Sequence, residues 1–266
     1  MAVISIFTNT EPASSELKTL FQKKLESAGF TVYEEFHVDS ELLICVGGDG
    51  ALLNTLRRLD FPDVPVVGVN TGHLGFFQEL QPHELDEFVF RYKEKQFNVH
   101  RLKTVSAGIV MEDGSSDSVM GLNEIVIRGA NSRVTHLDIF IEDSFIQAFR
   151  GDGVLVATPS GSTAYNYALG GAIVDPRLDI LQVTPIAPVN NSAYRSFPTS
   201  VLLPPNLALN VFPEHGVKNQ ILIAADGEEQ MFEGIKHIHI GFSKQSVNLI
   251  RFENYDFWNK VKQKLL

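Results

Sequence analysis

Residues 44–60, ICVGGDGALLNTLRRLD, set one carboxylate, Asp49, among three glycines between an apolar run and an amphipathic one. A glycine turn ahead of a helix presents backbone N–H groups to an anion, the usual setting for a phosphate. Gly47 and Gly48 permit positive φ and let a ligand come close to the backbone. A carboxylate beside a phosphate is repelled unless Mg²⁺ bridges the two or the carboxylate acts on the substrate. The alternative at this position is an Asp-Gly turn with no chemistry.

Further candidates follow in chain order. GVNTGHLGFF, residues 68–77, places glycines at the end of an apolar run, where open α/β sheets bind ligands. In GLNEIVI, residues 121–127, Asn123 and Glu124 precede a strand-like run. FRGDGVLVATPSGSTAYNYALGG, residues 149–171, flanks Gly151 with Arg150 and Asp152. It then crowds hydroxyls, glycines, Tyr165 and Asn166 into one loop, a mixture suited to wrapping a ribose and adenine. The chain has no Gly-Lys pair, so a Walker-type phosphate loop is absent. The dinucleotide pattern G-x-G-x-x-G is also missing after the first strand.

The elements that must hold these residues fall into two rhythms. AVISIF (2–7), ELLICV (41–46) and VPVVGV (64–69) are apolar runs of buried-strand length. Helical patterns lie between and after them: Leu17, Leu20, Phe21 and Leu25; ALLNTLRRL at 51–59; and Leu85, Phe88, Val89 and Tyr92 behind Pro82. This alternation predicts a parallel sheet with helices on both faces. After about residue 98 come short β-branched or alternating runs separated by Gly, Asp, Asn and Pro, which predict a β sandwich or multi-sheet domain. ENYDFWNKVKQKLL is helical again, with Phe257, Val261 and Leu265 aligned on a face that must dock on one of the domains. The expected division is 1–98 with 253–266, and 99–252.

The bulk numbers narrow the partners. A hydrophobic content of 44% with 20% charged residues fits a globular chain with its own cores. The net charge of −10 argues against a nucleic-acid surface, so any phosphate must be held by local donors. The single cysteine, Cys45, excludes an intramolecular disulfide and a multi-cysteine zinc site, and it reads as a core thiol. No signal peptide and no apolar run long enough to cross a bilayer is evident. A cytoplasmic protein without a membrane partner is the expectation.

The residues quoted resemble the NAD kinase family. The match comprises Gly47-Gly48-Asp49-Gly50, Asn70-Thr71-Gly72-His73-Leu74-Gly75-Phe76, Asn123-Glu124, Arg150-Gly151-Asp152-Gly153, and Thr158 through Asn166. The glycine-aspartate turn alone is shared with lipid kinases and phosphofructokinases, whereas TPSGSTAY is far more specific. The resemblance implies a Rossmann-like α/β N-terminal domain, a β-sandwich-like C-terminal domain, and a C-terminal helix returning to the first. It implies ATP-dependent phosphorylation of the adenosine ribose 2′-hydroxyl of NAD⁺, with Mg²⁺ accompanying ATP and no separate protein metal site. Asp49 corresponds to the catalytic acid-base residue, with Gly50 beside it. Asn123 and Glu124 correspond to residues that hold ribose hydroxyls. Thr163, Ala164, Tyr165 and Asn166 correspond to the wall around the adenylate half, with Ser160, Tyr167 and Ala168 alongside. Arg150 and Asp152 correspond to residues near the other half of the dinucleotide. In the family Asp152 and Ala187 can reach across a subunit boundary, which implies a homo-oligomer, dimer or tetramer. His136 sits where some members have a contact histidine. Glu228 and the 186–195 stretch depart from the family's usual pattern.

Two alternatives stand beside this expectation. One is a lipid or sugar kinase built on the same turn. The other is a non-catalytic dinucleotide sensor in which Asp49 only hydrogen-bonds a ribose.

Overall fold

The computed structural model describes residues 2–72, 75–192, 195–214, 220–252 and 255–266. The motif residues His73 and Leu74, and Glu253 and Asn254 at the start of the expected returning segment, lie outside the described residues. In chain order the first elements are β1 (Val3–Thr8), α1 (Pro12–Ser27), β2 (Thr31–Tyr33), β3 (Ser40–Val46), α2 (Asp49–Arg58), β4 (Val66–Val69), β5 (Gln78–Leu80) and α3 (Leu85–Lys93). Then come β6 (Asn98–Met111), β7 (Ser116–Gly121), β8 (Glu124–Gly129), β9 (Thr135–Ile141), β10 (Ser144–Gly151) and β11 (Gly153–Ala157). The remainder is α4 (Tyr165–Ala168), β12 (Leu181–Ile186), β13 (Val201–Leu203), β14 (Leu209–Pro213), β15 (Ile221–Ala225), β16 (Glu228–Phe232), β17 (Ile235–Arg251) and α5 (Phe257–Leu265).

The chain divides into two compact units, residues 1–102 with 245–266, and residues 103–244. The expected boundaries at 98 and 253 therefore move. The first shifts because β6 begins at Asn98 and runs through the division. The second shifts because β17 continues to Arg251, and its Leu249 pairs in parallel with Val66 of β4.

In the first unit β2, β1, β3 and β4 pair in parallel in that order, and β5 adds to β4 in parallel. A parallel sheet covered on its faces is built from continuous apolar runs, and Leu42 through Val46 are all buried. α1 starts at Pro12, whose missing N–H costs nothing in the first turn. It buries Phe21 and Leu25 but leaves Leu20 about half exposed, so the apolar stripe is narrower than the spacing alone indicates. Those two side chains, Leu85 and Phe88 of α3, and Ile250 and Phe252 share one core. Each such side chain contributes roughly 1.5–3 kcal/mol by leaving water. α5 returns to this unit with Val261 buried.

The second unit is a sandwich. One sheet runs β13-β12-β11-β8-β15-β16, antiparallel throughout. The other contains β10-β9-β14-β17, also antiparallel. Alternate residues meet between them: Ile125, Ile127, Val154, Val156, Ile221 and Ile223 from the first, and Leu137, Ile139, Leu209, Val211, Ile238 and Ile240 from the second. The opposite face of the six-stranded sheet is apolar too. Val126, Leu155, Ile186 and Ala224 are buried there, with Leu169 and Leu222 packed on them. That second layer explains why β8 and β11 read as unbroken apolar runs, and it anchors the 158–171 loop through Leu169.

Candidate active site

Asp49 opens α2 immediately after β3, with Gly48 as an extended N-cap. Gly47 adopts φ 142°, a conformation that L side chains rarely take, and lets the strand turn into the helix. A Cβ at Gly48 or Gly50 would meet no protein atom within 4 Å, so the space over this helix end is open to a ligand. The Asp49 carboxylate is held from the far side. Oδ2 accepts the N–H of Phe76 at 2.8 Å and Oδ1 that of Phe77 at 3.0 Å, while Lys264 Nζ lies 3.7 Å from Oδ2. Gly75 makes this possible, because a Cβ there would fall 2.2 Å from Asp49 Oδ1. Two backbone donors fix the plane of the carboxylate, with the lysine beside it. Asn70, buried at the end of β4, shapes the same loop by exchanging hydrogen bonds with Gly72 (Nδ2 to O, 2.9 Å; N to Oδ1, 3.2 Å).

In the second unit three distant segments meet at residues 122–124. Asp226 accepts the N–H groups of Leu122 and Asn123, both at 2.7 Å, and that of Glu124 at 3.3 Å. Thr158 donates from Oγ1 to Leu122 O (2.6 Å) and from its backbone to Asn123 O (2.8 Å). Asn123 and Glu124 are both buried, and among the described residues Asn123 Oδ1 and Glu124 Oε2 lack a hydrogen-bond partner. Burial, with the Asp226 charge second, pushes the Glu124 carboxyl up to about 8. Near neutrality this side chain is a carboxylic acid that can donate as well as accept.

The 158–171 stretch is a tight coil: a 3₁₀ turn over Ser160–Thr163, then the single turn of α4. Asn166 is fully buried. Its Oδ1 takes Thr184 Oγ1 at 2.6 Å and its Nδ2 reaches Ser162 O and Ala172 O at 3.5 and 3.4 Å. Ser160, Thr163 and Ala164 are half-buried, whereas Tyr165, Tyr167 and Ala168 are exposed along the coil.

Arg150 and His136 form a separate cluster, since both reach Glu214. Arg150 Nη2 lies 3.2 Å from Glu214 Oε2, and His136 Nδ1 bonds the same oxygen. That contact holds the Glu214 carboxyl below its usual range, with the Arg150 charge second. Asp152 bonds Ile186 O through its N–H at 3.0 Å, and the exposed Ala187 has φ 42°. Among the described residues no three His, Cys, Asp or Glu side chains converge on a metal position.

Several of these partners escape sequence reading. Asp226 and Gly227 form the two-residue turn between β15 and β16, with φ of 48° and 85°, and Asp-Gly is a recognisable hairpin signal. Nothing local marks that aspartate as the clamp for residues about 100 positions earlier. Lys264 is similar: its reach to Asp49 exists only once α5 docks.

A parallel α/β unit carrying a glycine-aspartate turn at a strand end, joined to a β sandwich, defines the class as a two-domain small-molecule kinase. Models of the ATP-NAD kinase N-terminal and C-terminal domains match residues 8–97 and 122–252. The chain is 33% identical to the NAD kinase of Finegoldia magna, over 99% of its own length and 98% of that protein's. It belongs to the NAD kinase family of ATP-dependent phosphotransferases. The NAD kinase of Streptococcus gordonii is 32% identical, covering 97% of this chain and 93% of that one. The fold matches a yeast NADH kinase crystallised with NADH at TM-score 0.85 and 20% identity, covering 100% of this chain and 87% of that one. It also matches an Archaeoglobus fulgidus NAD kinase in complex with ATP at TM-score 0.76 and 24% identity, covering 98% of each. The lipid- or sugar-kinase and sensor alternatives are not favoured by these relationships.

Proposed function

We propose that Asp49 is the proton acceptor in transfer of the ATP γ-phosphoryl group to the adenosine ribose 2′-hydroxyl of NAD⁺. The 2′-oxygen forms a bond to the γ-phosphorus, the bond from that phosphorus to the β,γ-bridging oxygen breaks, ADP leaves, and the hydroxyl proton passes to the Asp49 carboxylate. Phosphoryl transfer has a loose transition state, so the protein contributes mainly position and charge stabilisation. A weak base then suffices, and such help is worth about 10²–10⁴-fold. The observation that carries this reading is a carboxylate oriented by two N–H groups at a helix N-terminus, beside two glycines with open space above them.

Asn123 and the neutral Glu124 are assigned to the ribose hydroxyls. Ser160, Thr163, Ala164, Tyr165, Tyr167 and Ala168 are assigned to the adenylate half, Asn166 holding their coil in shape. Arg150, Asp152, His136 and Ala187 are assigned to the other half. Bound Mg²⁺ would neutralise the ATP phosphates. No protein side chain is assigned to hold the metal. Among the described residues, no helix is long and apolar enough to cross a membrane. We assign the protein to the cytoplasm, where a lone thiol stays reduced.

A homo-oligomer completes the reading. Its support is the outward aromatic row on β9, β10, β14 and β17. Phe140 lies 5.2 Å from both Phe145 and Phe212, Phe212 lies 5.5 Å from His237, and Phe145 is 57% exposed. Sedimentation should give a dimer or tetramer, and Phe145→Glu should shift it towards monomer. The chemistry is tested by incubating the protein with Mg-ATP and NAD⁺ and coupling product to an NADP-specific dehydrogenase. A signal needing both substrates supports the reading, and folded protein with no signal removes it.

A further inference from the structure

The peptide joining Phe76 to Phe77 has two engaged ends. Its N–H, on Phe77, donates to Asp49 Oδ1 at 3.0 Å. Its carbonyl, on Phe76, accepts Arg251 Nη2 at 2.8 Å and Lys260 Nζ at 3.4 Å. The next carbonyls are taken by the same cations: Phe77 O by Arg251 Nη1 at 3.4 Å, and Gln78 O by Lys260 Nζ at 2.6 Å. Arg251 is itself fixed by the buried Glu79 at 2.8 Å, and its guanidinium lies 3.9 Å from the Tyr255 ring centre. Glu79 Oε1 in turn accepts the Phe252 N–H at 2.7 Å. Two cations from the C-terminal segment are thus aimed at the carbonyl side of one backbone stretch whose N–H side carries Asp49.

A planar, conjugated peptide unit transmits polarisation from one end to the other. A cation on the carbonyl oxygen makes the opposite N–H a stronger donor. Burial, with the Arg251 charge second, pushes the Lys260 ammonium down to about 8. Holding this lysine among carbonyls at such a cost is readily understood if the arrangement serves the site.

We infer that Lys260 and Arg251 are positioning residues for the phosphoryl-transfer step, acting on Asp49 through the 76–78 backbone, with Lys264 adding a direct contact. The inference rests on the reading of Asp49 as proton acceptor. It assigns to the C-terminal segment a part in the reaction beyond closing the fold.

The test compares Lys260→Met and Lys260→Arg, each alone and combined with Asp49→Asn, by kcat, by KM for NAD⁺ and ATP, and by thermal melting. Lys260→Met should lower kcat about tenfold with both KM values within about twofold, the pattern of a group that acts in the transition state. Lys260→Arg should recover most of that loss. In the Asp49→Asn background Lys260→Met should change the residual kcat by less than about twofold, because its route of action is already gone. Lys260→Gln, which keeps a hydrogen-bond donor but not the charge, gives the same comparison should Lys260→Met fold poorly. An equal loss of kcat in both backgrounds, or a loss that Lys260→Arg fails to restore, overturns the inference while Asp49 keeps its role. Wild-type kcat in Lys260→Met also overturns it. Wild-type kcat in Asp49→Asn alone instead overturns the reading of Asp49.

Discussion

Asp226 holds the backbone N–H of Glu124 at 3.3 Å and, from the same position, helps to keep the Glu124 carboxyl protonated up to about 8. One aspartate therefore both shapes the 122–124 turn and, after burial itself, sets the charge of its buried carboxyl group.

The pH dependence follows from that direction. The folded-state value lies above the ordinary 4.5, so the native protein binds this proton more tightly than the unfolded chain does. Its contribution to stability is complete below about pH 4.5 and is lost as pH rises through about 8. Glu124→Gln stays neutral at every pH. The melting temperature of wild type relative to Glu124→Gln should therefore fall between pH 5 and pH 9, by about 5 °C. Parallel melting curves across that range would contradict the assignment.

Gly75 leaves room for the Asp49 carboxylate. Gly75→Ala places a Cβ 2.2 Å from Asp49 Oδ1 and 2.8 Å from Gln78 Cγ, so the carboxylate must turn. Steady-state kinetics should show kcat reduced about 10²-fold, the scale of a roughly 1 Å misplacement, with KM little altered. A fully active Gly75→Ala enzyme would show that this orientation is not needed.

Asn166 ties Ser162, Ala172 and Thr184 together inside the coil. Asn166→Leu removes those bonds and sets an apolar side chain among buried polar groups. Thr184 keeps Ser200 at 2.8 Å and Ala172 O keeps Gln182 at 3.0 Å, so the loss is about 1–3 kcal/mol. Denaturant unfolding should show the midpoint falling, with the apparent affinity for NAD⁺ weakened in proportion to disorder of the coil. Unchanged stability would mean that the amide does not hold the coil.

Cys45 lies in β3, is 1% exposed, and burial pushes its thiol up to about 12, against a smaller opposing effect of the Thr55 hydrogen bond. Iodoacetamide at pH 8 should leave the native protein unlabelled over hours and label it fully in denaturant, as read by intact mass. Stoichiometric labelling of native protein would place the thiol at an accessible surface.

How much of this was legible in the sequence depends on the range of the signal. β1, β3 and β4 were visible as apolar runs, and α2 as an amphipathic one, because a buried parallel strand and a covering helix each carry a local pattern. The strands Thr31–Tyr33 and Gln78–Leu80 were not, since three residues show no period. α2 also begins two residues before the apolar pattern does, at Asp49 itself, because glycine at its start carries no hydrophobic signal. Asp49, Asn123, Glu124 and the 158–166 stretch stood out by residue type. Their supports did not: Asp226, Arg251, Lys260 and Lys264 act from about 100 to about 215 positions away in the chain. A buried ion pair such as Arg251–Glu79 leaves no periodic trace.

The most direct measurement is the turnover of Asp49→Asn beside its affinity for NAD⁺, using the NADP-specific coupled assay and calorimetry on the same folded sample. The account predicts a kcat lower by about 10²–10⁴-fold, with the dissociation constant for NAD⁺ within about threefold of wild type. Turnover retained at the wild-type level would contradict it.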